Sequence, residues 1–482
     1  MNARGRRTQE QDVRIWVKRK ERVSNMEEFI KNITDQIRCV RARDAVAKEL
    51  SDHIRDQAES YEEAGTEHEE AVRRAIREMG DPVQIGVELD RIHRPQIDFR
   101  MIAMVFVFSL GGLILQYFGG GYTHLPNVNV APMFVGLFGR QCLILLLAFA
   151  VMVGVYFLDY TFIGRYGIWI YVGMTILFFT GTLVLSRVNG RIPVMFMLTY
   201  LYIPAYVGVL YQLRGRGYAA VVQSIVLQFI TMAFVHVFTN LLSGAGVIYL
   251  IQTILLILAV HRNWFAVNRR TATAAVIFGT LVLPLLLLAA CLAVSPGALS
   301  FRMSRLSAWL RPEEDPMGRG YLYMWLREEL SQARWIGASR NTLCTADNLV
   351  DPTFSAGSFI LIQIVCNCGI LAGVIVVLAF AALIIHAFRI VRRQRNQLGF
   401  MLSAACFMVF LVNCVEGILI NSGHFPSMEV QLPFLSYGVG AMVTYAVFIG
   451  LLLGIYRNEK IVTDQAVTGR PYWRLTVRLE KR

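Results

Sequence analysis

The chain has 482 residues, of which 55% are hydrophobic and only 17% charged, with a mean hydropathy of +0.48. A soluble protein of this size carries roughly a quarter charged residues, and here the apolar excess falls in long runs, which excludes a soluble globular enzyme and predicts an all-α, polytopic membrane protein. The formal net charge of +13 does not point to nucleic acid, because the basic residues flank apolar runs and match the positive-inside rule, with anionic lipid headgroups as sufficient partners.

Residues 1 to about 96 read as a separate charged domain. Its opening, "MNARGRRTQEQDVRIWVKRKERV", is a basic tail, expected in the cytoplasm and either solvated or touching the inner membrane surface. "RARDAVAKELSDHIRDQAESYEEAG" has helix-forming composition and stops at Gly65. "TEHE" predicts a capping box between Thr66 and Glu69. Val72, Ala75, Ile76 and Met79 make one apolar stripe, Gly80 stops that helix, and Asp81 and Pro82 start the next as cap and first residue. The stretch ending "GDPVQIGVELDRIHRP" resembles the small helical HAAS-type domains that precede membrane regions in some bacterial proteins, which implies interaction or regulation.

Ten apolar segments follow, near 101–118, 141–158, 166–186, 194–212, 219–239, 244–261, 272–294, 358–388, 398–420 and 434–456. Each approaches the ~20 residues that a helix needs to cross the hydrocarbon core. Pro204 predicts a kink in the fourth, and the fifth and sixth nearly merge. The even count returns residues 461–482, a basic tail, to the cytoplasm. Arg165, Arg214, Arg216, Arg262, Arg269, Arg270 and the cluster Arg389, Arg392, Arg393, Arg395 then fall in inner loops, with Arg140, Arg187 and Arg191 as exceptions.

Two outer segments can carry chemistry. The first, 297–357, lies between the seventh and eighth segments and holds Arg302, Arg305, Arg311, the acids Glu313, Glu314 and Asp315, and Tyr321, Trp325 and Trp335. It reads either as a solvated loop of salt-bridged short helices or as a surface segment turning arginines toward phosphates. The second, 421–440, breaks an apolar region with Pro426, Pro433 and three glycines, which reads as a cavity wall or a tight outer loop. Glu416 lies inside the ninth segment near Asn413 and Asn421; an acid at that depth is a functional candidate or a neutral carboxyl bonded to a neighbouring helix. His236 and His386 read as packing or boundary residues, and Gly369 with Gly373 as a helix-contact face. All eight cysteines read as packing thiols, with Cys366 and Cys368 on different faces, and no metal spacing occurs.

"QLPFLSYGVG" (Gln431 to Gly440) resembles the Leu-Pro-Phe-x-Ser-Tyr-Gly-Gly signature of the SEDS proteins, the FtsW, RodA and SpoVE group. "RLSAWLRPEEDPMGRGY" resembles that family's stretch at the start of its large outer loop, "GRQCLILLLAFAVMVGVYFLDY" its second span, and "CGILAGVIVVLAFAALIIHAFRI" its eighth. The resemblance covers about residues 97–460 and implies the same ten-helix plan. It also implies polymerisation of lipid II, an undecaprenyl-linked precursor, at the outer face of the bacterial cytoplasmic membrane. The expected partner is a penicillin-binding transpeptidase, in division, elongation or sporulation.

The family's general base is an Asp at the mouth of span eight, where a carboxylate accepts the proton of an attacking sugar hydroxyl. In this chain the aligned stretch is "SFILIQIVCNCG", which puts Ser358 at the Asp position. Two other family acids are missing, one at "YLYIPAY" and one near Asn240, and the signature's glycine pair is Gly438-Val439. Asp351, with Asp347 in reserve, is the candidate replacement base, because the intervening "PTFSAG" is flexible enough to bring it back. Arg305, Asp315, Glu416, Pro433, Ser436, Tyr437 and Gly438 are the candidate substrate-binding residues. No cofactor is identified, although a divalent cation is compatible with a pyrophosphate leaving group. Three functions stay open: an active polymerase, a non-catalytic relative that binds precursor or a cell-wall partner, and a lipid flippase or transporter.

Overall fold

The computed structural model describes residues 26–118, 131–185, 192–239, 242–282, 284–286, 304, 307–339, 357–425 and 430–459. No β-strand occurs among them, and the chain divides into two compact units, one of residues 1–97 with 457–482 and one of residues 98–456.

The first unit contains α1 (26–35), α2 (Val40–Glu63), α3 (His68–Met79) and α4 (Pro82–Ile92). Val46, Leu50, Ile54 and Ala58 recur every four residues on α2 and bury one stripe against Ile33 and Ile37. On α3 the expected stripe is present: Ala75 is fully buried, with Val72, Ile76 and Met79 packed at its margin. Gly65 and Gly80 take φ of 92° and 94° just past their helices, and the Asp81 carboxylate accepts from the Val83 amide at 3.0 Å. The capping box does not form, and α3 starts after Glu67 with no side-chain cap. Thr66 instead closes α2, its amide donating to the Tyr61 carbonyl at 3.0 Å, so it serves the preceding stop. α4 is tied down by Asp90, which accepts from the Arg38 side chain at 2.7 and 3.0 Å and from the Arg38 amide at 2.8 Å. These bonds, the guanidinium's first, hold the Asp90 carboxyl below the usual carboxylate range.

The second unit contains α5 (Phe99–Phe118), α6 (Ala131–Phe157), α7 (Thr161–Val184), α8 (Pro193–Leu198), α9 (Tyr202–Gln212), α10 (Tyr218–Thr239), α11 (Leu242–His261), α12 (Arg269–Ile277), α13 (Tyr321–Ser331), α14 (Ile360–Cys368), α15 (Ile370–Arg393), α16 (Gln397–Asn421) and α17 (Val439–Arg457). Among the described residues, 8 helices are long and apolar enough to cross a membrane, and the expected first segment is a shorter apolar helix. The expected fourth segment is broken into α8 and α9 by a 3₁₀ turn at Thr199–Leu201. Pro204 explains the break, since its ring removes the bond to the carbonyl four residues back and crowds it. At the first turn of α5, Asp98 caps the Arg100 and Met101 amides and meets His386 of α15 at 2.6 Å, so His386 is a paired boundary residue.

The eighth apolar run is not one helix. It divides at Gly369, where φ is 102° and ψ 165°, into the 9-residue α14 and the 24-residue α15. At 1.5 Å per residue, α15 alone is about 36 Å long, enough to span the ~30 Å hydrocarbon core. The backbone groups freed at the break are taken up by residues 334–339: Ile370 donates to the Arg334 carbonyl at 2.8 Å, and Gly337 and Ser339 donate back to Cys368 and Cys366 at 3.1 and 2.8 Å. Gly369 is therefore the break between two helices rather than half of a helix-contact face, and a Cβ there would lie 2.7 Å from the Trp335 carbonyl oxygen. Cys366 is buried and Cys368 exposed, so the two face apart as expected, but Cys368 is not a packing thiol. Cys291 and Cys344 lie outside the described residues.

Gly369→Ala should cost at least ~1–3 kcal/mol, because this backbone region is nearly closed to side chains; thermal unfolding of the purified protein in detergent measures it. Because Asp90 is depressed in the fold, its stabilisation is complete above about pH 4 and is lost as pH falls through the lower folded value. Hydrogen exchange in α1 and α4, corrected for the intrinsic rate, should rise through that acidic window, and Asp90→Asn should remove the increment.

Candidate functional site: the rim of a broken helix

The rim starts from one side chain. Asn421, the last residue of α16, accepts from the Ile362 amide at 3.1 Å and donates to the carbonyls of Ser358 at 2.9 Å and Gly417 at 2.7 Å. The Ile362 amide is one of the first-turn donors of α14 that have no partner within their own helix. Asn421 thus caps a helix 59 residues away in sequence and fixes the segment that holds Ser358. Apolar packing supports it: Phe359, Ile362 and Cys366 bury against Leu326, Ile420 and Val430. α13 joins the same cluster, with Arg327 Nε donating to the Gly423 carbonyl at 3.2 Å and Glu329 accepting from the Cys366 thiol at 3.5 Å. The described part of segment 297–357 is therefore packed structure, with Trp325 at the cluster margin, Trp335 exposed, and an Arg311–Glu314 ion pair at 3.1 Å.

The opposite wall is the loop before α17. Ser436 folds it, its hydroxyl accepting from the Leu432 amide at 2.9 Å while its own amide donates to the Leu432 carbonyl at 3.2 Å. Phe434 takes φ of 60° and Gly438 φ of 150°. The Tyr445 hydroxyl donates to the Gln431 carbonyl at 2.7 Å and anchors the loop to α17. A Cβ at Gly112 would lie 2.8 Å from the Leu435 carbonyl oxygen, so α5 closes the back of the loop. The two walls meet at Gly357, where a Cβ would be 3.7 Å from the Tyr437 carbonyl oxygen and 3.9 Å from Gln431 Nε2. The Gln431 amide also presses on Gly438, where a Cβ would lie 2.5 Å from its Oε1, and that oxygen is buried without a hydrogen-bond partner.

The candidate residues fall in different places. Ser358 is buried at the rim, and Tyr437 stands half-buried beside Gly357. Pro433 and Ser436 are buried in the loop wall, where the Ser436 hydroxyl is engaged in shaping the turn. Asp315 is exposed and builds a turn ahead of α13, its carboxylate accepting from the Arg319 amide at 3.0 Å and its carbonyl from Gly320 at 3.0 Å. Glu416 lies below the rim on the buried face of α16. Asp347, Asp351, Arg305, Arg302 and Asn240 lie outside the described residues. Among the described residues no cluster of three or more His, Cys, Asp or Glu side chains is placed to hold a metal ion. Sequence reasoning noted Asn421 only as a neighbour of Glu416 and gave Gln431 no role. The usable signal for the first was an amide residue closing a long apolar run just before Ser422-Gly423.

Comparison with known proteins places this geometry. The family model FtsW/RodA/SpoVE, described as "Cell cycle protein", matches residues 99–461. A protein of Idiomarina loihiensis named "Probable peptidoglycan glycosyltransferase FtsW" is 30% identical over 190 residues, covering 39% of this chain and 44% of that one. "Stage V sporulation protein E" of Bacillus subtilis is 24% identical over 164 residues, covering 33% of this chain and 43% of its own length. These alignments therefore span less than half the length of the relatives they match. A chain from the structure titled "Structural coordination of polymerization and crosslinking by a peptidoglycan synthase complex" superposes with a TM-score of 0.56 at 16% identity, covering 75% of this chain and 98% of that one, which establishes a shared fold. Because the family match runs across every helix from α5 to α17, the chain is a multi-pass membrane protein of the FtsW, RodA and SpoVE family.

Proposed function

We propose that this chain polymerises lipid II into glycan strands at the outer face of the membrane. The observation that supports this reading is the rim itself: irregular backbone at both Gly357–Phe359 and Gln431–Gly438, with its polar groups satisfied by Asn421, Ser436 and Tyr445. Such backbone at membrane level is tolerated only where protein or a cavity satisfies it. Asp351 supplies the base in this proposal. It lies six residues before Gly357, and a chain of that length reaches up to ~20 Å, enough to return the carboxylate to the rim. The sugar hydroxyl would give its proton to Asp351 as it attacks, and Arg305 would offset charge on the departing pyrophosphate. A transpeptidase partner is proposed by analogy with the synthase complex that shares the fold. Both termini are assigned to the cytoplasm by the arginine cluster from Arg389 to Arg395 and by Arg457 and Lys460. The first unit is assigned to interaction or regulation.

One observation favours a second reading, a non-catalytic relative that binds the precursor. The residue at the family's acid position is Ser358, and its carbonyl is engaged by Asn421; no carboxylate occurs in Gly357–Ile362 or Gln431–Gly438.

The purified chain with lipid II should form glycan strands, and Asp351→Ala should slow this by about 10²–10⁴-fold, the usual contribution of a positioned base. Polymer formation that survives removal of both Asp351 and Asp347 would rule out this base, and no polymer from the native chain would favour the second reading. Asn421→Leu leaves the Ile362 amide and the Ser358 carbonyl unpaired, at a cost of about 1–3 kcal/mol for each buried group. A lowered thermal transition in detergent, with polymerisation reduced in parallel, is the expected result.

A further inference from the structure

Beneath the signature loop is a second polar site that the polymerase reading does not use. Glu416 and Asn413 are three residues apart on α16 and share one face. Tyr200, from the turn between α8 and α9, and Tyr445 of α17 both lie within electrostatic reach of the Glu416 carboxyl. Tyr200, Asn413 and Tyr445 are fully buried, and Glu416 is 9% exposed.

Asn413 and Tyr445 have donated elsewhere, while several oxygens are left open. Asn413 Nδ2 donates to the Val409 carbonyl at 2.8 Å, which leaves its Oδ1 buried and unpartnered. Tyr445 gives its proton to the Gln431 carbonyl at 2.7 Å, which leaves it only lone pairs to offer elsewhere. Glu416 Oε2 and the Tyr200 hydroxyl have no hydrogen-bond partner. No arginine, lysine or histidine among the described residues pairs with Glu416, and the titratable groups that interact with it are the two tyrosines. An ionised Glu416 carboxylate in this apolar bundle has no positive partner to offset its charge, and the Tyr200 O–H is one neutral donor left open within electrostatic reach of it.

We propose that Glu416, Asn413, Tyr200 and Tyr445 form an intramembrane site for one positive charge, held either as a proton on the carboxyl or as a sodium-sized cation among the oxygens. A hard monovalent cation takes oxygen ligands and leaves the site neutral, and a proton achieves the same neutrality on Glu416 alone. Tyr445 connects the site to the rim, because its hydroxyl lies within electrostatic reach of Glu416 and also holds the Gln431 carbonyl in the wall of the rim. Occupancy therefore steadies the signature loop from below. This holds whether or not the chain polymerises lipid II.

The test uses the full chain in lipid nanodiscs and dicyclohexylcarbodiimide, an apolar reagent that adds to protonated carboxyls in apolar surroundings. Peptide mass spectrometry measures labelling of Glu416 across pH, with sodium chloride or choline chloride. Labelling that falls as pH rises supports the site. Protection by sodium but not choline identifies a metal cation as the occupant, and no sodium effect identifies the proton. Tyr200→Phe keeps the ring and removes one oxygen, and it should shift the protecting pH or sodium concentration by about tenfold. Two results would overturn the proposal: Glu416 labelled at no pH, or labelling indifferent to both pH and sodium. A Tyr200→Phe curve identical to that of the native chain would also count against it. Glu416→Gln provides the stability readout, since its thermal transition should lose any dependence on sodium and pH that the native chain has.

Discussion

The Asn421 side chain is the constraint on which the rim depends. A membrane protein must satisfy every backbone group internally wherever its helices are interrupted. Here the interruption is deliberate: α14 starts at the rim, ends at Gly369 and leaves α15 to do the crossing. One amide at the end of α16 pairs the Ile362 N–H and the Ser358 carbonyl together. The other end of α14 is satisfied by residues 334–339. The short helix is therefore held at both ends by groups remote in sequence, and its position is a property of the bundle rather than of its own nine residues.

The second wall follows the same logic with different chemistry. Its turn is built by Ser436 and Tyr445, and its close fit against α5 and Gly357 rests on absent side chains. Gly438 serves both ends, since it takes a backbone conformation open to glycine and leaves room for the Gln431 amide. Within the stretch that carries the family resemblance, the Ser436 hydroxyl shapes the turn of that wall. Ser436 and Pro433 build the wall, while Gln431 and Tyr437 stand at the junction with Gly357. Tyr445, which anchors that wall through the Gln431 carbonyl, lies within electrostatic reach of Glu416 and Tyr200.

Much of the fold was legible from pattern alone. Apolar length located the membrane segments, Pro204 foretold the break ahead of α9, and Gly80, Asp81 and Pro82 marked the α3–α4 junction as it stands. The misreadings share a cause, because each concerned residues with two local roles open to them. Thr66 could start α3 or close α2, and the Tyr61 carbonyl decided it. Gly369 could be a packing surface or a break between helices, and the pairing of Ile370 with the Arg334 carbonyl decided that.

The amino-acid sequence by itself determined that this chain crosses a membrane many times, that it carries a charged helical unit ahead of the spans, and that its signature belongs to one family. Those properties are local sums, of hydropathy over about 20 residues or of spacing within a short motif. Only the tertiary structure decided that the eighth run is two helices, that Asn421 caps the first of them, and that Gln431 lies against Gly357 and Gly438. These are pairings across tens to hundreds of residues. A hydrogen bond reports the distance between two groups, and that distance exists only once the helices have packed.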